Sequence, residues 1–238
     1  MSKIHSDILA QRALQIQRGA ARAAVLGVND GLVSILCIVL AVAAAGANGR
    51  AVLLAGFAGL VAGAISMAAG EWISVRAQVE LFGGVLKDIR RLMKTHRPMM
   101  TEQIADNLIA AGQNKTTARE AAQEIAANDR HLLQVYARQI MGFNPDELGS
   151  PWTAALSSFL LFTLGALAPM GPWIFTEGPV AIILSITFTA IGSLIVGGYV
   201  ASSSGKSVIY GALRQLAIVA FASVVTYGVG YIFGISTS

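Results

Sequence analysis

Five apolar runs set the limits on this fold: Ala23–Gly46, Ala51–Ser74, Trp152–Phe175, Pro179–Ser203 and Leu213–Gly234. A hydrocarbon core about 30 Å thick is crossed by about 20 residues of helix. Inside it every backbone N–H and C=O must be bonded internally, which leaves helices as the solution for runs of this length. The expected fold is therefore all-α and polytopic, with five transmembrane helices. Composition agrees: 55% of residues are hydrophobic, 13% are charged, and mean hydropathy is +0.63. That excludes a soluble globular domain. Spans one and two join through Ala47–Arg50, three and four through Met170–Pro179, and four and five through Ser202–Tyr210.

The cations order these spans. Of 17 Lys and Arg residues, all but Arg50 fall on one side of an odd-numbered arrangement. Lys3, Arg12, Arg18 and Arg22 precede span one. Ten more lie between spans two and three, and Lys206 and Arg214 flank the turn between spans four and five. The positive-inside rule then places the N-terminus in the cytoplasm and the C-terminus outside or in a lumen. The formal charge of +4 thus reflects topology and not nucleic-acid binding. Cys37, the sole cysteine, lies in an apolar run and is expected to pack as a small hydrophobe. The first apolar run is too long for the core of a signal peptide.

Four segments follow in order. Residues 1–22 read as a cytoplasmic amphipathic segment, with Ile4, Ile8, Leu9 and Ile16 interleaved with charges. Residues 23–74 carry spans one and two, and 151–238 carry spans three to five. Residues 75–150 form a polar, cytoplasmic helical insert. In it Arg97-Pro98 is expected to stop the helix that continues span two. Thr101 is expected to cap a helix from Glu102 to Ala111, ended by Gly112. Thr117 and Glu120 suggest a capping box for a longer helix ending near Gly142. That makes a three-helix insert. Trp72, Trp152 and Trp173, at span ends, suit an aromatic belt.

Asp30 is the residue that an anchor would not contain. A carboxylate within a span costs about 2.5 kcal/mol or more to insert, and such residues mark ion or proton pathways. Glu71 ends the second span, one helical turn after Met67, so the two share a face. Asp30 and Ser34 share a face of span one in the same way, with Asn29 adjacent. Carboxylate oxygens suit Fe²⁺ and Mn²⁺, and a thioether biases a site toward softer transition ions. The bland alternatives remain open: a structural hydrogen bond for Asp30, a solvated end position for Glu71, and simple core packing for Met67. Gly59 and Gly63 form a small-xxx-small face that reads as close helix packing. His96 with Met99 and Met100 reads as a solvated loop, and Glu177 as a solvated outer charge. Gly205-Lys206-Ser207 resembles the end of a phosphate-binding loop. Val200 stands where its first glycine would be, and no strand precedes it.

The strings Asn29-Asp30-Gly31-Leu32-Val33-Ser34 and Ser66-Met67-Ala68-Ala69-Gly70-Glu71-Trp72-Ile73-Ser74 resemble the first two spans of the vacuolar iron transporter family. Pro151-Trp152-Thr153-Ala154-Ala155-Leu156-Ser157-Ser158-Phe159 matches its third span more loosely. The resemblance implies five transmembrane helices, a cytoplasmic insert and a homodimer. It implies export or sequestration of Fe²⁺ and/or Mn²⁺ from the cytosol by proton antiport, with Asp30, Met67 and Glu71 on the path. Protons and divalent ions are then the partners, within a lipid bilayer. No resident cofactor, no bound nucleic acid and no enzymatic activity are expected. The compartment would be the plasma membrane in a prokaryote and the vacuolar membrane in a eukaryote.

The insert departs from the family's acidic pattern. Leu86-Lys87-Asp88-Ile89-Arg90-Arg91-Leu92 is basic, and Arg138-Gln139-Ile140-Met141-Gly142 lacks acids. Glu80, Glu102 and Asp106 remain as weaker equivalents, with Met141 as a sulfur donor. The insert is accordingly expected to be structural or dimerising, with a basic helix suited to anionic headgroups. Two rivals stand beside the transporter: a transport-inactive scaffold or regulator of the same fold, and a carrier of another cation.

Overall fold

A computed structural model describes residues 19–237. The amphipathic reading of residues 1–18 lies outside the described residues. The chain is helical: α1 (Gly19–Ala44), α2 (Gly49–Thr95), α3 (Arg97–Ala110), α4 (Lys115–Ala127), α5 (Asp129–Val135), α6 (Pro151–Met170), α7 (Pro172–Phe175), α8 (Gly178–Ser203) and α9 (Val208–Thr237). A π-helical turn, Tyr136–Ile140, continues α5, and a 3₁₀ turn occupies Pro145–Glu147. Five helices (α1, α2, α6, α8 and α9) are long and apolar enough to cross a membrane. α2 has 47 residues, so it is about 70 Å long, more than twice a hydrocarbon core of about 30 Å.

The chain divides into two compact units. One holds the residues up to Ile73 together with Pro151 onward, and the other holds Ser74–Ser150. In the first unit α1 is the central helix. A Cβ on Gly31 would collide with the Phe162 carbonyl oxygen and lie 2.9 Å from the Ala166 nitrogen. A Cβ on Gly165 would collide with the Val28 carbonyl oxygen and lie 3.1 Å from the Leu32 nitrogen. Glycine on both sides lets the α1 and α6 backbones touch, as small residues do in membrane packing. The contacts rise together in number (27 with 158, 31 with 162), so α1 and α6 run parallel. α9 also runs parallel to α1, with Gly230 against Ala41 and Gly234 against Ala45. α2 and α8 run the other way. Gly56 meets Val39 and Met170 while Gly63 meets Phe162, and Gly192 meets Leu32. Alternating directions are what a chain crossing repeatedly through short turns must adopt. The turn before α2 is fixed by Gly46 (φ 84°) and by Asn48 Oδ1, which accepts from the Ala51 N–H at 2.9 Å.

Ile35, Leu36, Val39 and Leu40 of α1, Val52, Leu60 and Ala64 of α2, and Phe162 and Ala166 of α6 share one buried cluster. Trp173 is 5% exposed and belongs to the same cluster. It is therefore a core residue and not part of an aromatic belt. Pro172 starts the short helix α7, which carries the indole inward.

The second unit is built around Leu86, Ile89 and Met93, spaced three and four apart on one face of α2. Met100, Ile104, Ala122, Ala126, Leu132 and Tyr136 complete its core. Phe82 stacks on Phe143 at 4.7 Å between ring centres. The helix boundaries differ from those expected. α2 ends at Thr95, but α3 begins at once, with Pro98 in its first turn, where a missing N–H costs nothing. Thr101 sits inside α3 and donates back to the Arg97 carbonyl, so it caps nothing. His96, Met99 and Met100 lie at the start of this helix, not in a loop, and Met100 is fully buried. Asn114 caps α4 by accepting from the Thr116 N–H at 3.0 Å. Its position ahead of Thr117 leaves no capping box there. Asn128, in extended conformation, ends α4 and caps α5 through the Arg130 and His131 N–H groups at 2.9 and 3.1 Å. The single long helix expected to reach Gly142 is thus two helices and a π turn. Asparagine outranks threonine as a cap, and both caps followed that order.

Candidate functional site

Successive residues on a helix point about 100° apart, so Asn29, Asp30 and Gly31 of α1 face three directions. Asn29 Oδ1 accepts from Gln215 Nε2 of α9. Gly31 faces the α6 backbone at Phe162. Leu32, next in line, is buried against Gly192 of α8. Asp30 takes the remaining side and is exposed, opposite the core face of α1. Its one hydrogen bond among the described residues is from Ser34 Oγ, one turn on, at 2.7 Å to Oδ1. Asp30 and Ser34 therefore form the paired face expected of them. Asn29, grouped with them in the sequence, points to another helix.

Phe162 sets the depth of α2 against this point. Its backbone meets Gly31 and its ring meets Gly63, so Gly63 is level with the Asp30 turn. Met67 follows one turn beyond Gly63 and Glu71 two turns beyond, about 6 and 12 Å along the axis. Met67 is half-buried against the core cluster, and Glu71 is half-exposed. Trp72, next to Glu71, packs edge-on to Trp152 at 5.9 Å between ring centres, which ties this end of the span to the start of α6. The donors thus descend in order, Asp30 with Ser34, then Met67, then Glu71. Among the described residues no hydrogen bond or ion pair joins the Asp30–Ser34 pair to Met67 or Glu71. Nor do any three His, Cys, Asp or Glu side chains converge there.

In the second unit, Arg76 pairs with Glu80 at 2.6 Å and Arg119 with Glu102 at 3.1 Å. Asp106, one turn after Glu102, is exposed, and so is Met141. Two of these three acids are therefore matched by guanidinium groups. Glu177 is exposed, and its side chain lies over Gly49, where a Cβ would be 2.6 Å from its Cγ.

The sequence profile of the VIT family matches residues 21–231, nearly the whole described chain. The chain belongs to the VIT family. It is 32% identical over 221 residues to the "Vacuolar iron transporter" of Acanthamoeba castellanii, covering 90% of this chain and 78% of that one. It is 33% identical over 186 residues to "VIT-like transporter 1a" of Glycine max, covering 78% and 71%. It is 29% identical over 218 residues to "Vacuolar iron transporter homolog 2" of Arabidopsis thaliana, covering 90% and 84%. Two features of this VIT chain were not singled out in its sequence. An amide directly after Arg214, at the start of the fifth apolar run, was a signal that could have marked Gln215, since polar side chains within spans bond across helices. Phe162 carries no such mark, being one aromatic among several in an apolar run.

Proposed function

We propose that this VIT-family chain moves a divalent metal ion, Fe²⁺ or Mn²⁺, out of the cytosol in exchange for protons, acting as a homodimer. The observation that carries the proposal is the direction of Asp30. It is exposed on a span whose other faces are taken by α6, α8 and α9. A carboxylate left against lipid would be expensive, and such groups face a bundle interior or a water-filled path. A second copy docked through this side by a two-fold axis would cover it and bring two Asp30 residues to one seam. That would complete the donor set which one chain supplies only in part. Ser34 orients the carboxylate, Met67 contributes a soft donor that favours transition ions over Ca²⁺ or Mg²⁺, and Glu71 marks the cytoplasmic mouth. A carboxylate that gives up a proton when metal binds is the minimal device for antiport. The cation asymmetry supports a cytoplasmic N-terminus, and "vacuolar" in the relatives' names supports a vacuolar membrane in a eukaryotic cell.

Purified protein in liposomes tests this reading. Fe²⁺ or Mn²⁺ entry should be accompanied by proton movement in the opposite direction, read with a metal-quenched dye and a pH dye. Absence of any metal flux would instead favour a transport-inactive scaffold, and flux of a different cation alone would favour the third reading. The insert acids should matter little. Glu102→Ala with Asp106→Ala should change flux by less than about fivefold, since an exposed ion pair contributes about 0.2–1 kcal/mol. A larger loss in that double variant would make the second unit part of the metal path.

A further inference from the structure

Resting on the transport reading above, we infer that Gln215 is a positioning residue for Asp30, acting through Asn29 to fix the rotation of α1 about its axis. The bond from Gln215 Nε2 to Asn29 Oδ1 joins positions 186 residues apart in sequence and is half-buried. Gln215 is wedged in place. A Cβ on Gly197 would lie 2.7 Å from the Gln215 Cβ, so α8 backs the residue closely and the amide is held toward α1. Further along, α1 and α9 meet through glycine, at Gly230 with Ala41 and Gly234 with Ala45. Those contacts set how closely α1 and α9 approach. The amide pair is directional and fixes how α1 is turned toward α9. Asn29 immediately precedes Asp30, so a rotation that breaks the pair swings the carboxylate by the same angle. Inside a span few other groups can bond the freed amides. The loss is felt as a misdirected α1, while the residues that meet the ion stay chemically intact.

The test uses the full chain in liposomes and in detergent, with Mn²⁺ and Fe²⁺ as probes. Gln215→Leu should raise the metal concentration for half-maximal flux by about tenfold, the range seen when a group supporting a metal ligand is removed. Its maximal rate per folded protein should stay close to wild type. The same shift should appear in the Mn²⁺ concentration that half-maximally raises the melting temperature in detergent, a readout that needs no transport. The exchange variant, Asn29→Gln with Gln215→Asn, restores two amides across the same gap and should recover wild-type values in both. This keeps the inference testable should Gln215→Leu fold poorly. A purely structural bond would lower folded yield and maximal rate while leaving the half-saturating concentration alone, and that result overturns the inference. So does an exchange variant that folds but binds metal no better than Gln215→Leu. A wild type that transports and is stabilised by metal alongside an indistinguishable Gln215→Leu overturns this inference alone. A wild type that does neither overturns the transport reading and this inference with it.

Discussion

Asp30→Asn should lower metal flux by about 10- to 100-fold without changing folded yield. Asparagine keeps the shape of the side chain and can still accept the bond from Ser34 Oγ, which reaches Oδ1 at 2.7 Å. A structural role for Asp30 would therefore survive the change, and only the charge is lost. An interaction with a charged group is worth about 1.5–3 kcal/mol, and each 1.4 kcal/mol is a factor of ten, which gives the expected range. Removing an intramembrane charge also lowers the cost of insertion, so the variant should melt no lower than wild type. Paired measurement of flux and melting temperature decides between the roles. Full flux in Asp30→Asn would mean that the carboxylate is not on the path. Lost flux with a lowered melting temperature would mean that it holds the helix in place. Asp30→Ala, which also removes the acceptor, should match the flux loss of Asp30→Asn if charge is what matters.

The membrane half of this protein could be read from sequence because a bilayer offers so few solutions. Backbone groups without water must bond within their own helix, so each long apolar run became one helix. Asp30 stood out for the same reason, as a charge where the solvent is hydrocarbon. Its bond to Ser34 followed from helical spacing alone. In the second unit the caps at Asn114 and Asn128 are exposed, and small differences among Asn114, Thr101 and Thr117 decided where helices start. There the boundaries shifted. Trp173 shows a different limit: position at the end of a run suggested an interface, but the turn through α7 buried it. The sharpest limit is at Asn29. Sequence proximity grouped it with Asp30, while the bond to Gln215, contributed from the last span, gives it a separate task. Which side chains converge depends on the rotation of each helix about its axis, and a single run of residues holds little information about rotation.

The crossing of α1 and α6 sets that rotation from the opposite side, and there a single methyl group should have a large effect. Gly31→Ala is expected to destabilise the protein by about 1–3 kcal/mol, the cost of inserting carbon into a closely packed contact. The new Cβ would strike the Phe162 carbonyl oxygen and lie 2.9 Å from the Ala166 nitrogen. Both obstacles are backbone, so no side-chain rotamer can relieve them and the helices must part. Gly165→Ala meets α1 backbone at Val28 and Leu32 in the same way and should cost a similar amount. The two changes widen one crossing, so their combination should cost less than the sum of the single effects. Gly83→Ala is the contrasting case. Nothing lies within 4 Å of its added Cβ, and alanine is the better helix former by about 0.8–1.0 kcal/mol. That variant should melt at or above the wild-type temperature. Because Phe162 lies against both Gly31 and Gly63, parting α1 from α6 also shifts α2, which carries Met67 and Glu71. Surviving folded Gly31→Ala should therefore need more metal for half-maximal flux, even though no donor has been altered. A Gly31→Ala protein with wild-type melting and wild-type metal dependence would show that the crossing yields without cost. The direction of Asp30 would then rest on the Asn29–Gln215 bond alone.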